Sequence, residues 1–128
     1  MNNALVLAFA FGPADSKKLR SICDKLGVRL RKVQPAEYGE PLGAFAGLRE
    51  HTDPPASVDG ATGQMLVFAG LTERQLDHFL SALRTLRVSG DTLKAFLTET
   101  NAKWTAPELY AELLRERESM RAQAPDSQ

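Results

Sequence analysis

Two short, almost wholly apolar runs, Ala4 to Phe11 (ALVLAFAF) and Gly63 to Gly70 (GQMLVFAG), lie about sixty residues apart, and each leads into an amphipathic helix. Continuous apolarity over so few residues marks a strand covered on both faces; a strand with one wet face would alternate. Gly12-Pro13 breaks the first run. Gly suits an N-cap, Pro the first helical position, and Asp15 the positive end of the helix. Leu19, Ile22, Cys23 and Leu26 then form one apolar stripe, and Gly27 stops the helix. After the second run, Thr72 and Gln75 stand at capping-box spacing, and Leu76, Phe79, Leu80, Leu83 and Leu86 form the apolar face.

Each helix leads to a less apolar strand. Val28 to Val33 (VRLRKV) carries three cations, a common guard against edge-to-edge pairing, so it belongs at a sheet edge. Thr92 to Thr98 (TLKAFLT) is the second such strand. Pro35 to Leu48 is weakly helical and broken by Gly39 and Pro41. Residues 49–62 have turn composition and read as a surface loop. A last helix starts at the Thr105-to-Glu108 capping box and runs to about Arg121, with Leu109, Tyr110, Leu113 and Leu114 inward. The end of the chain, 123–128, reads as a disordered tail.

The expected fold is therefore one α/β domain over 1–122, with halves 4–48 and 63–122. Alternating strands and helices favour a three-layer, mostly parallel four-stranded sheet in the order 2-1-3-4, with helices on both faces. A ferredoxin-like α+β arrangement is the alternative. The halves look alike: Cys23 falls on Leu83 and Leu26 on Leu86, with the strands shifted by one residue. That resemblance suggests two related β-α-β halves, although any two β-α-β units share much of it.

At 128 residues the chain can bury roughly two thirds of its unfolded surface. Sixteen basic and sixteen acidic residues cancel, so bulk charge favours neither nucleic acid nor an anionic membrane. The first apolar run is too short to span a bilayer and has no basic segment before it. A single cysteine excludes an intrachain disulfide and fits a reducing compartment, hence a cytoplasmic expectation.

The stretch MLVFAGLTERQLDHFL and then LKAFLTETNAKWTAPELYAELLRERESM resembles a family of short bacterial proteins known as domain of unknown function 3783. The resemblance covers Met65 to Met120. It rests on the Leu-Lys-Ala strand, on Thr98-x-x-Asn101-x-x-Trp104-Thr105, and on Glu108, Leu109, Glu112, Leu113 and Glu116 of the last helix. It implies a grouping and no activity.

No phosphate loop, nucleophile elbow or metal-ligand framework is visible, so no cofactor, no metal and no catalytic residue is expected. Cys23 sits on a core stripe, where a buried thiol is inert. His51, near Glu50 and Asp53, lacks a framework for a metal, and His78 points away from its helix's apolar face. The basic stretch from Lys17 to Lys32 points several ways with no aromatics between the cations, so it reads as a solvated face. Thr98, Asn101 and Trp104 follow the last strand. In a parallel sheet they would approach the crevice at the switch point, near Gly12 and Gly70, where helix N-termini offer amide donors to an anion. The same three residues also suit a turn and a core plug. Tyr38, Leu42 and Phe45 either cover the sheet or offer a patch to a partner. The leading expectation is a non-catalytic protein-binding or accessory module that contacts a protein partner or forms a homodimer. The alternative is a small-molecule or anion-binding domain.

Overall fold

A computed structural model describes residues 4–47, 62–88 and 90–123. Of the expected loop over 49–62, residues 49–61, with His51, Glu50 and Asp53, lie outside the described residues, and so does the expected tail beyond Gln123, which itself ends the last helix. Leu48 lies outside them too.

The order is β1 (Leu5–Phe9), α1 (Pro13–Leu26), β2 (Arg29–Val33), a 3-10 turn (Pro35–Glu37), α2 (Leu42–Phe45), β3 (Met65–Ala69), α3 (Glu73–Thr85), β4 (Leu93–Phe96), a second 3-10 turn (Asn101–Lys103) and α4 (Ala106–Gln123). The strands form one sheet in the order β2-β1-β3-β4. The two apolar runs are the central strands and the charged ones the edges, as their hydropathy requires. Two of the three pairings are parallel, β1 with β2 and β3 with β4. The central pairing is antiparallel, Leu5 facing Ala69 and Phe9 facing Met65.

Alternation along the strands separates two cores. Val6, Ala8, Leu66 and Phe68 face α1 and α3, where Leu19, Ile22, Cys23, Phe79 and Leu83 complete one cluster. Leu5, Leu7, Phe9, Met65 and Val67 face the other way and meet Tyr38, Leu42, Ala106 and Leu109. Helices therefore cover both faces, which gives three layers.

The two halves repeat at a spacing of sixty, strands included. Leu7 faces Val67 at the centre of the antiparallel pair, so the local two-fold axis passes between them. Ala10 and Gly70 both take positive φ, 66° and 76°, and so do Gly27 and Arg87. Ser16 N donates to Gly12 O and Leu76 N to Thr72 O, each at 2.9 Å. Val28 N donates to Cys23 O and Val88 N to Leu83 O, each at 3.0 Å. Past Val88 the second half is longer by four residues: Arg29 N donates to Ala4 O, and the matching donor to Gln64 O is Leu93 N. The one-residue strand shift expected from hydropathy is thus absent. Runs apolar at every position can slide past one another without penalty, so pattern alone could not set their alignment.

Candidate functional site

The antiparallel centre decides where the expected site residues fall. Because Phe9 lies beside Met65 and Leu5 beside Ala69, the carboxyl ends of β1 and β3 lie at opposite ends of the sheet. Gly12 follows β1 and Gly70 follows β3, so the structure sets them, and the N-termini of α1 and α3, at opposite ends. The crevice rule holds where the strands flanking the switch point run parallel, and here they do not. Thr98, Asn101 and Trp104 follow β4 at the Gly70 end, far from Gly12.

Thr98 and Asn101 bind each other. Thr98 N donates to Asn101 Oδ1 at 2.8 Å, and Asn101 N donates to Thr98 Oγ1 at 3.1 Å. Asn101 Nδ2 donates to Phe96 O at 2.9 Å. The buried Asn101 amide is thereby committed to closing the turn and to capping an edge-strand carbonyl. An equivalent box follows β2, where Gln34 N donates to Glu37 Oε1 at 3.0 Å. Trp104 is half-buried against the cluster of Leu5, Phe9, Leu42 and Leu109 rather than a sealed plug. Its carbonyl accepts from Leu42 N at 2.8 Å, tying the two halves together.

Tyr38 and Leu42, 7% and 0% exposed, are core residues and offer no surface to a partner. Phe45 is half-buried, and the Arg31 guanidinium lies 5.3 Å from its ring centre while bridging to Glu37. The segment folds back onto the sheet because Gly39 to Pro41 breaks it between the 3-10 turn and α2.

Cys23 lies in the core between the sheet and helices α1 and α3, and burial pushes its thiol up to about 12; Arg20 opposes that shift and Asp24 adds to it. Such a thiol is not a nucleophile at neutral pH. His78 is exposed and lines a groove of about 490 Å³ between α1 and α3, with Ser21, Lys25, Leu26 and Leu86. Among the described residues no three His, Cys, Asp or Glu side chains gather as metal ligands. Among them, too, no helix is long and apolar enough to cross a membrane.

The surface that stands out is the flank of α3 above β4. Leu93 N and Leu97 N donate inward to β3, so Lys94 and Phe96 alternate outward along the edge. On the α3 side of the sheet their side chains form the rim. Phe96 is 57% exposed, although its ring centre is 6.2 Å from that of Phe68. Two hollows of about 140 and 240 Å³ share Leu80 and Lys94 and run along this flank. Leu76, Phe68 and Phe96 line the first; Leu83, Arg84 and Val88 line the second. The matching position in the first half is Lys32. One edge of an internally symmetric sheet thus carries cations and the other an exposed ring. Sequence reading passed over Phe96 because LKAFL reads as an ordinary half-buried strand. The signal was its period of two, with Leu93, Ala95 and Leu97 on one face and Lys94 and Phe96 on the other.

Neither curated proteins nor solved structures include a match to the chain. Residues 64–120 match a family model, and that stretch is the second repeat with nearly all of α4. That model is of the family described as Domain of unknown function (DUF3783), and this stretch of the chain is similar to it.

Proposed function

We propose that the protein is a non-catalytic interaction module that makes its protein contacts through the α3–β4 flank. The observation that carries this reading is the exposed Phe96 ring beside Leu76 and Leu80. Aromatic side chains are enriched in protein contacts relative to the rest of the surface. Strand addition is not the mode. Asn101 occupies the Phe96 carbonyl, and Lys94 Nζ donates to Thr92 O at 3.2 Å, so the edge is partly closed by its own side chains. Side chains, not backbone, make the contact. A bacterial cytoplasm is the proposed setting, in keeping with the resemblance and with a single buried thiol.

The test compares wild type with Phe96→Glu in quantitative affinity capture at matched expression, with circular dichroism as the folding check. The reading expects a stoichiometric contact, to another protein or to itself, that Phe96→Glu removes. Contacts unchanged by Phe96→Glu would overturn it.

A further inference from the structure

We propose that the α3–β4 flank binds a second copy of this chain, with the two α3 helices antiparallel across a two-fold axis. The inference rests on the reading of this flank as a contact surface and adds the occupant.

The argument is charge complementarity. Glu73, Asp77, Leu80 and Arg84 follow one another at spacings of four, three and four, so they share one side of α3. Leu80 and Arg84 line the hollows over β4, which fixes that side as the flank. Along the flank the order is acid, acid, apolar, base. Placed antiparallel on itself, this stripe sets Glu73 and Asp77 of one copy against Arg84 of the other, with Leu76 and Leu80 meeting at the centre. Among the described residues, none of these three charges has an ion pair within its own chain. The strand beneath is arranged in the same sense. β4 runs opposite to α3, so Phe96 lies at the acidic end and Lys94 nearer the basic end. A two-fold axis therefore lays each Phe96 ring over the partner's hollow beside Leu80 and Lys94. An isologous contact of this kind closes on itself as a dimer and does not propagate.

The α1–α3 groove offers no such match. The ionisable groups lining it are Lys25 and His78, which would face their own kind in a second copy. At the β2 edge, Arg29, Arg31 and Lys32 would likewise repel a second copy.

The contact is one helix flank and one strand edge, so it belongs at the small end of specific interfaces and depends on concentration. Sedimentation velocity from micromolar to near-millimolar protein measures it. Wild type should pass from monomer to dimer, and added salt should shift the transition to higher concentration. Arg84→Glu leaves the α3 stripe wholly acidic, and Glu73→Arg with Asp77→Arg leaves it wholly basic. Each variant alone should remain monomeric, with at least a tenfold weaker dimer. An equimolar mixture of the two should restore the dimer, which a misfolded variant could not do. Three results would overturn the proposal: a wild-type chain that stays monomeric throughout, variants that still dimerise alone, or a mixture that fails to associate. A monomeric wild type that still captures a different protein through Phe96 would discard the second copy and keep the contact surface. Phe96→Glu without effect on any contact would discard both.

Discussion

Gly27 and Arg87, sixty positions apart, hold the same left-handed backbone conformation, with φ of 69° and 60°. Each closes the helix after the first strand of its half, donating to Asp24 O and Arg84 O. Only one of them is glycine. A residue with a Cβ is strained there by about 1–2 kcal/mol, and glycine loses up to about 1 kcal/mol through its freer unfolded chain. The Arg87 side chain is exposed, so little packing is lost with it. Arg87→Gly should therefore stabilise by about 0.5 kcal/mol, and Gly27→Ala should destabilise by about 1 kcal/mol. Urea midpoints at constant slope would show both. A destabilised Arg87→Gly would mean that the guanidinium holds the helix end through contacts the backbone argument ignores.

Asn101→Ala should cost about 2–3 kcal/mol, because it strips the partner from Thr98 N and leaves Phe96 O uncapped. Asn101→Asp should also destabilise, since a carboxylate accepts from Thr98 N but cannot donate to Phe96 O. Thr98→Ala removes one hydrogen bond and should cost about 1 kcal/mol. Thermal melts of the three variants rank these costs. Equal losses for Asn101→Ala and Thr98→Ala would show that the Phe96 cap contributes nothing.

The periodicities that named the elements were local, and local signals survived folding. Pro13 and Gly27 bracket α1, and the Thr72–Gln75 box opens α3, Gln75 N donating to Thr72 Oγ1 at 3.0 Å. The cations of β2 and the lesser apolarity of β4 correctly sent those strands to the edges. The direction of β3 against β1 was not legible. An apolar run buried on both faces reads the same in either direction, and residues 46–64 connect the halves without a periodic signature. That one missing sign moved Gly12 and Gly70 to opposite ends of the sheet and dissolved the expected anion pocket. Asn101 was legible as important, but its partners were hidden. A turn asparagine that reaches a ligand and one that caps a strand carbonyl have the same spacing in sequence. Phe96 emerged only once α3 was seen to stop short of the outer edge of β4.

Gly63 leaves room for a neighbour. A Cβ built there would lie 2.3 Å from the Tyr110 hydroxyl oxygen and 2.9 Å from the ring carbon bearing it. Gly63→Ala should therefore push the α4 tyrosine off its seat and cost about 1–3 kcal/mol. Tyr110→Phe removes the closest atom, so the double variant should recover part of that loss. A double-mutant cycle measures the coupling. Additive losses would show that α4 shifts as a body rather than through this one contact.

Cys23 makes the pH dependence specific. Burial holds its thiol up at about 12 against an ordinary 9.0. Below the ordinary value the thiol is protonated in both folded and unfolded chains, so it contributes fully to stability and pH has no leverage through it. Above that value the unfolded chain releases the proton and the folded chain keeps it. Stability should then fall by about 1 kcal/mol per pH unit until the folded thiol ionises too. Alkaline pH acts on a folded chain in several ways at once, so the informative quantity is a difference. Cys23→Ala should be less stable than wild type at neutral pH, from the small cavity it leaves, and should lose less stability between about pH 9 and about pH 10. The same burial predicts that disulfide reagents label Cys23 slowly in the native protein and quickly once urea unfolds it. Rapid native labelling, or parallel stability slopes for the two proteins, would place the thiol nearer to solvent than its packing between α1 and the sheet allows.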